Sequence, residues 1–227
     1  MKSTVPMTLI CLLLLAPGIA AQSSDTHFAL HGCLALPMGD FGDDKGTDAG
    51  FAKMGFGAMA EFTMDIGVKG LEWASSISFL LNGVDKDMGP TLATSIFGQP
   101  VQDVEYELGS WYNIPILTGL MYRHSVSPTI KIFGTAQLGL NVVMAPSFEF
   151  TDSQRASLEG TASTATTFEL GIGAGFIFND RFSVGARYLN LGEAEVEYEL
   201  DTTWGESAEL EADAPIGCFL IMAGIRF

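Results

Sequence analysis

Thr26-His-Phe-Ala-Leu-His-Gly-Cys-Leu-Ala-Leu36 is the stretch of the chain that decides the fold. The even-numbered positions of this stretch include the apolar residues Phe28, Leu30 and Leu34. The odd-numbered positions hold small or polar residues: His27, Ala29, His31, Cys33 and Ala35. Successive side chains of a β-strand point to opposite faces, so a period of two predicts a strand with one apolar face.

Seven further segments show the same alternation: Ala52–Phe62, Gly70–Leu81, Trp111–Arg123, Thr129–Met144, Thr167–Phe178, Arg181–Asn190 and Ile216–Phe227. Each is close to the length of a tilted barrel strand, which crosses a bilayer in roughly nine to eleven residues. Together with the first stretch they make eight strands. We therefore predict an all-β fold, an eight-stranded antiparallel up-and-down transmembrane β-barrel.

The connections between these segments alternate in length. The short ones are 63–69, 124–128 and 179–180, and the long ones are 37–51, 82–110, 145–166 and 191–215. Short periplasmic turns and long outer loops are typical of outer-membrane barrels. A β-sandwich with a similar number of strands is the alternative, but it explains neither the regular alternation of the connections nor the consistently apolar parity.

The composition agrees with a membrane barrel. The 227 residues are 48% hydrophobic and 17% charged, with a mean hydropathy of +0.29 and a net charge of −16. Such a chain is too apolar to be disordered and unusually apolar for a soluble protein. After the first twenty residues no apolar run reaches the length of a membrane-spanning helix, about 18 residues. The apolar content is therefore carried by alternating strands.

Aromatic side chains mark the two membrane interfaces. Those next to the short turns are Phe62, Trp73, Tyr122, Phe178, Phe182 and Phe227, and those near the long loops are Tyr112 and Phe148. Outer-membrane barrels carry aromatic girdles at these two depths.

The N-terminal segment predicts secretion. Lys2 precedes an apolar stretch, residues 7–16, which is followed by Pro17-Gly18 and by small residues at Ala20 and Ala21. This order is that of a secretory signal peptide. We predict a signal peptide over residues 1–21 and a barrel domain over residues 22–227, in the outer membrane of a Gram-negative bacterium.

The barrel pattern and several segments resemble small outer-membrane barrels of the OmpA and OmpX kind, and more closely the outer membrane protein β-barrel domain family. The segments are 36–41, 113–117, 171–175 and the chain end 219–227. The chain end resembles the terminal strand that the barrel-insertion machinery reads; in that resemblance its signal residues are Phe219, Ile221, Ile225 and Phe227. The resemblance implies no catalytic residue and no cofactor.

The sequence offers little enzymatic chemistry. Gly171, Gly173 and Gly175 are spaced by two, so they line one strand face and do not form a phosphate-binding loop. His27 and His31 face the predicted lumen near its periplasmic end, where metal ligation is conceivable but ordinary lumen hydrogen bonding is favoured. We expect no catalytic residue, no cofactor and no metal.

A non-enzymatic integral outer-membrane barrel with a structural, adhesion or surface-interaction role is therefore the predicted function. One alternative is a lipid A-modifying enzyme, but that chemistry needs His and Ser together near the outer leaflet, and the predicted outer half contains no His. The other alternative is a narrow channel, which is limited because side chains fill an eight-stranded barrel.

Strand parity predicts a charge-paired lumen. The inward-facing charged residues are Glu61, Glu72, Glu169, Arg123, Lys131, Arg187 and Arg226. Similar numbers of both signs favour mutual pairing over an ion-selective pore.

Cys33 and Cys218 share the lumen parity on strands that closure makes neighbours. Counting from His27 opposite Arg226 places Cys33 opposite Leu220. Two buried free thiols are the favoured interpretation, and a disulfide across the seam is the alternative.

The last outer connection predicts an acidic β-hairpin. Nine acidic residues and no Lys or Arg lie between Glu193 and Asp213, largely in alternation, with the turn at 202–205. An unbroken register puts the first acidic row on the inner face and the second on the outer face, so that the rows do not oppose each other. A basic partner or a divalent cation could bind there, but a solvated repulsive surface is favoured. Outer-membrane lipid, lipopolysaccharide and the insertion machinery are the other predicted partners, with no nucleic acid and a monomeric barrel.

Overall fold

A computed structural model describes residues 26–44, 49–85, 105–151, 157–202 and 207–227. The predicted signal peptide lies outside these ranges. Within them the chain forms eleven β-strands and one turn of 3₁₀ helix. None of the helical structure in this part of the chain is long and apolar enough to cross a membrane.

All eleven strands pair antiparallel with their neighbours. They are β1 (Thr26–Met38), β2 (Ala52–Val68), β3 (Leu71–Val84), β4 (Glu105–Leu108), β5 (Trp111–Ser125), β6 (Ile130–Met144), β7 (Phe148–Thr151), β8 (Ser157–Ala162), β9 (Thr164–Phe178), β10 (Phe182–Thr202) and β11 (Ser207–Arg226).

Eight of these strands close into a barrel. The order is β1-β2-β3-β5-β6-β9-β10-β11, and β11 pairs back onto β1 with Ala29 opposite Arg226. This ring confirms the predicted eight-stranded up-and-down barrel. The structure extends several strands beyond the predicted segments, because ladder pairing continues past the membrane-spanning alternation. The largest extensions are in β10 and β11, which are 21 and 20 residues long.

The barrel wall separates an apolar outside from a filled inside. In β1, Phe28, Leu30 and Leu34 are exposed on the outer surface, whereas Ala29 and His31 are buried in the lumen. The outer surface faces lipid, where exposed apolar side chains are favourable. The predicted parity therefore assigns the two faces of β1 correctly.

Three short strands lie in the long connections, which are predicted from the sequence as outer loops. β8 pairs with the outer part of β10, β7 pairs with β8, and β4 pairs with β7. Together with residues 193–202 of β10 and 207–215 of β11 they form a five-stranded sheet, here called the outer sheet. The barrel thus continues on the loop side as an ordered sheet.

A β-bulge separates the membrane part of β10 from the outer sheet. Asn190 lies opposite Gly217 and Glu193 lies opposite Pro215, so β10 contains one extra residue at this point. Gly192 has a φ of +82°, and a Cβ there would come within 2.6 Å of the Phe168 carbonyl oxygen. Glycine suits a positive φ and such a close approach. The bulge reverses which residues of β10 point inward.

The loop after β1 folds onto the loop-side end of the lumen. Phe41, in the 3₁₀ turn Gly39–Phe41, is buried and packs edge-on against Trp111 at a ring-centroid distance of 5.4 Å. The Trp111 Nε1–H donates a hydrogen bond to the Gly50 carbonyl oxygen at 2.9 Å. Two aromatic rings therefore cover this end of the barrel.

Candidate functional site

Two buried clusters of charge cross the lumen. In the first, Arg187 Nη2 donates to Glu61 Oε2 at 2.6 Å and Arg187 Nη1 donates to Ser76 Oγ at 3.1 Å. The side chains of Arg187 and Glu61 are 1% and 7% exposed. A buried charge is tolerated when it is paired and hydrogen-bonded, and this pair meets both conditions.

The second cluster lies nearer the short turns. Glu72 forms ion pairs with Arg123 and with Arg226, the latter at 3.4 Å. Arg226 Nη2 also donates to Thr63 Oγ1 at 2.9 Å. The structure thus brings five of the seven predicted lumen charges into two ion-paired groups.

Lys131 and Glu169 depart from the predicted network. Lys131 lies at the turn end of β6, where its long side chain reaches Asp180 in the next turn. The hydrogen bond from Lys131 lowers the pKa of Asp180 below its usual value. Glu169 is fully buried, and neither carboxylate oxygen has a hydrogen-bond partner among the described residues. Parity predicts the face of a strand but not the depth, and Glu169 lies four residues along β9 from Gly173, the cross-strand neighbour of Arg187.

Cys33 and Cys218 are both buried free thiols. The predicted register is wrong by two residues: Ala29 lies opposite Arg226, so Cys33 faces Met222 and Cys218 faces Pro37. The sequence does not determine which residue of β1 pairs with Arg226, because the end of β1 has no marker that fixes the register.

Alkylation in denaturant without reductant is expected to modify both Cys33 and Cys218, because both thiols are free. The same reagent should react slowly with the folded protein, since both side chains are buried. Mass spectrometry measures the two adducts directly. A mass shift that needs prior reduction would contradict this result and indicate a disulfide.

The acidic residues of the last hairpin lie on one face, and the prediction that the two rows avoid each other is wrong. Glu195 lies opposite Asp213, Glu197 opposite Glu211, and Glu199 opposite Glu209. The reason is the bulge at Gly192, which turns the odd-numbered residues from 193 to 201 outward, onto the face that Glu209, Glu211 and Asp213 of β11 already use. The prediction depends on an unbroken register between β10 and β11.

Further carboxylates extend this row across the outer sheet. Asp201 lies beside Glu159, Glu159 beside Glu149, and Glu149 beside Glu107. We call the whole set the acidic face: Glu105, Glu107, Glu149, Glu159, Glu193, Glu195, Glu197, Glu199, Asp201, Glu209, Glu211 and Asp213. The described residues of the outer sheet include no Lys or Arg; they are 105–108, 148–151, 157–162, 193–202 and 207–215.

The opposite face of the outer sheet is apolar. Val196 and Phe150 are buried, and the Phe148 ring lies 5.6 Å from the Tyr198 ring. Burial raises the pKa of Tyr198 to about 12. Phe148 was predicted to belong to the membrane girdle, but it packs here because β7 lies in the outer sheet. The apolar face accounts for why this part of the chain folds, and the acidic face is left to solvent.

One Ser–His pair lies inside the barrel. His31 Nε2 and Ser183 Oγ are 2.9 Å apart, and both residues are buried. The pair lies toward the short turns, because Ser183 is the second residue of β10. Among the described residues, no group of three or more His, Cys, Asp or Glu side chains is arranged to hold a metal ion.

Solved structures of small outer-membrane barrels share this fold. Neisserial surface protein A is 14% identical, with 90% of this chain and 98% of that chain covered and a TM-score of 0.51. A major outer membrane protein of Thermus thermophilus is 10% identical, with 89% and 98% covered and a TM-score of 0.53. Ail of Yersinia pestis is 12% identical, with 91% and 100% covered and a TM-score of 0.47. At these identities the first two similarities establish the fold alone.

No curated protein sequence matches the chain. The sequence pattern of one family, described as outer membrane protein β-barrel domain, matches residues 7–205. That range includes seven of the eight barrel strands in full and all three short strands of the outer sheet. The chain therefore belongs to the outer membrane protein β-barrel domain family and is an integral β-barrel of the Gram-negative outer membrane.

Proposed function

We propose that this protein is a non-enzymatic surface barrel that presents its acidic face to a basic partner outside the cell. The observation that carries the proposal is the direct opposition of carboxylates across β10 and β11. Like charges that oppose each other in a ladder destabilise a sheet. A surface needed only for solubility could carry both acidic and basic side chains. The twelve carboxylates on one face therefore favour a binding role.

An extended basic partner fits this face better than a bound cation. Carboxylates in neighbouring strands stand side by side at about 4.8 Å spacing and point away from a sheet, whereas a calcium loop makes its oxygens converge. A basic segment of protein can meet many of these carboxylates at once. Such an encounter is steered by charge and weakens as salt increases.

Neutralising the centre of the acidic face tests this proposal. The variant Glu197→Gln, Glu199→Gln, Glu209→Gln and Glu211→Gln should bind an oligolysine peptide about 10- to 100-fold more weakly, because each exposed charge pair contributes roughly 0.2–1 kcal/mol. The binding constant can be measured by isothermal titration in detergent at low salt and again at high salt.

The matched control removes the same charge elsewhere. Asp40→Asn, Asp43→Asn, Asp44→Asn and Asp65→Asn also neutralise four carboxylates, none of them on the acidic face. The control should bind the peptide nearly as tightly as the parent. Equal weakening in both variants would mean that the peptide responds to net charge, and the proposal would be withdrawn.

The closed lumen supports a barrel that does not conduct small solutes. Ion pairs cross the lumen at two levels, and Phe41 and Trp111 pack over its loop-side end. Liposomes containing the protein should therefore not swell in isotonic solutions of small sugars. Lipid A from cells that overproduce the protein should keep its mass, since the Ser183–His31 pair lies far from the outer leaflet.

We also propose that residues 1–21 are removed on secretion and that the barrel works as a monomer. Phe219, Ile221, Ile225 and Phe227 share the lipid-facing parity of the last strand and its end. The insertion machinery would read this side of the strand during assembly, and lipopolysaccharide would surround the finished barrel.

A further inference from the structure

A polar cluster lies on the lipid-facing side of β3 and β5. Trp73 Nε1–H donates a hydrogen bond to Ser75 Oγ at 3.1 Å, and Ser75 Oγ lies 2.9 Å from Thr118 Oγ1. Trp73 and Ser75 share the outward parity of Ile77, which is half exposed, and Thr118 lies directly opposite Ser75. Polar groups that face hydrocarbon are unfavourable unless they are hydrogen-bonded. The three side chains meet this requirement only in part.

The cluster has one more hydrogen-bond donor than it uses. Each of the three side chains carries one N–H or O–H proton. The Trp73 proton is donated to Ser75, and one hydroxyl proton lies between Ser75 and Thr118, whichever of the two donates. The other hydroxyl proton has no acceptor among the described residues. An acceptor oxygen from the surroundings would satisfy it.

The two hydroxyl side chains line a groove on the outer surface of the barrel. The groove has a volume of about 230 Å³. The apolar side chains that line it on the lipid side are Phe28, Ala60, Phe62, Ile77 and Ile116. Apolar walls with a few polar groups are typical of sites for small apolar ligands. This groove therefore fits a ligand that is mostly hydrocarbon and carries an acceptor oxygen.

The depth of the groove in the membrane identifies the ligand. Ser75 is the fifth residue of β3, close to a short turn, and it lies opposite Phe62 of the aromatic girdle. Aromatic girdles lie at the level of the lipid headgroups, and short turns face the periplasm. In a glycerophospholipid the ester carbonyls join the headgroup region to the acyl chains. The acceptor available at this depth is therefore an ester carbonyl of an inner-leaflet lipid.

We propose that this groove binds one acyl chain of an inner-leaflet glycerophospholipid, whose ester carbonyl oxygen accepts the unused hydroxyl proton of the Ser75–Thr118 pair. An ester carbonyl accepts hydrogen bonds and donates none, so it matches a site with a spare donor. The hydrogen bond from Trp73 holds Ser75 Oγ at the groove. The acyl chain lies along the apolar wall. This lipid site is separate from the acidic face, which lies beyond the loop-side end of the barrel.

A comparison of ester-linked and ether-linked lipids tests the hydrogen bond. Diether phosphatidylethanolamine can have the same headgroup and chain length as the diester lipid, but it has no carbonyl oxygen. Native mass spectrometry of the protein, purified from outer membranes in detergent micelles, measures the binding constant of each lipid. The diester lipid should bind roughly 3- to 10-fold more tightly, as expected for one additional hydrogen bond.

Removal of all three donors should abolish this preference. The variant Trp73→Phe, Ser75→Ala and Thr118→Val should bind the two lipids equally. All three changes are needed, because the loss of one hydroxyl frees another donor of the cluster. Thr166→Val with Tyr188→Phe is the control: it removes two hydroxyls from the lipid-facing parity of β9 and β10, outside the groove, and should keep the preference.

Filling the groove tests where the lipid binds. Ala60→Leu places a larger side chain on the groove wall and should weaken the binding of both lipids. Ala186→Leu makes the same change at a lipid-facing alanine of β10 that does not line this groove, and it should leave both binding constants nearly unchanged.

Three results would overturn the proposal. The first is equal binding of the diester and diether lipids to the unmodified protein, which decides the question even if a variant does not fold. The second is a preference that persists in the variant without the three donors, because the carbonyl would then bind elsewhere on the barrel. The third is unchanged lipid binding by Ala60→Leu.

Discussion

Replacing Arg187 by alanine is expected to lower the free energy of unfolding by about 3–5 kcal/mol, the usual cost of removing one partner from a buried ion pair. Arg187 is 1% exposed, and its loss leaves the Glu61 carboxylate charged and unpaired inside the barrel. The change can be measured by unfolding the protein in urea in detergent micelles. The loss of the fast-migrating folded band on a gel monitors the unfolding.

Lys131→Ala is the matched control for this prediction. Lys131 also pairs with a carboxylate, but its partner Asp180 is more than half exposed, and exposed pairs contribute about 0–1 kcal/mol. A double variant, Glu61→Leu with Arg187→Met, should recover most of the stability, because buried ion pairs are often replaced by apolar residues at little cost. Equal effects of Arg187→Ala and Lys131→Ala would contradict the assignment of a buried network.

Deletion of Gly192 should have the second large effect. Without the extra residue, the outer part of β10 regains the register of the membrane part, and every side chain from 193 onward moves to the other face. Carboxylates would then replace Val196 and its neighbours at buried positions, at a cost of several kcal/mol. We expect the outer sheet to lose its packing while the membrane barrel stays folded.

Cysteine labelling reports this change residue by residue. In the parent, a thiol introduced by Glu197→Cys should react quickly with a membrane-impermeant maleimide, and one introduced by Val196→Cys should be protected, since Val196 is 1% exposed. In the variant that lacks Gly192, the thiols at these two positions should no longer differ in their reactivity with the maleimide. Gly192→Asn crowds the Phe168 carbonyl oxygen but keeps the number of residues and tolerates positive φ, so it should preserve the parent pattern at some cost in stability. An unchanged pattern after deletion would contradict the role given to the bulge.

The sequence predicts the barrel well because the two-residue period of each membrane strand has a physical cause. Lipid on one side and packed side chains on the other force alternation in each membrane strand, so the inward position of Glu61 and Arg187 follows from parity. Depth does not follow from parity, and the separation of Glu169 from Arg187 was therefore missed. The predicted register between β1 and β11 is wrong for a related reason. A shift of two residues keeps every side chain on the same face, so the hydrophobic pattern does not distinguish the two registers.

The outer sheet was harder to predict for two reasons. β4, β7 and β8 have only four to six residues, too few to establish a period within long connections. Gly192 stood within an otherwise alternating segment, and an isolated glycine in a strand is a recognised signal for a bulge. A bulge at Gly192 places both acidic rows on one face. The two aromatic rings over the lumen, Phe41 and Trp111, come from segments about 70 residues apart and have no common sequence signal.

The continuous pairing of β10 and β11 has a mechanical consequence. The ladder runs from Phe182 opposite Ile225, at the turn side of the membrane, to Asp201 opposite Ser207 in the outer sheet, with one bulge between. A tensile load applied to the outer sheet would therefore pass directly into hydrogen bonds of the barrel wall. Those hydrogen bonds lie perpendicular to the direction of the load, so many of them would have to break together. The outer sheet is therefore mechanically continuous with the membrane barrel.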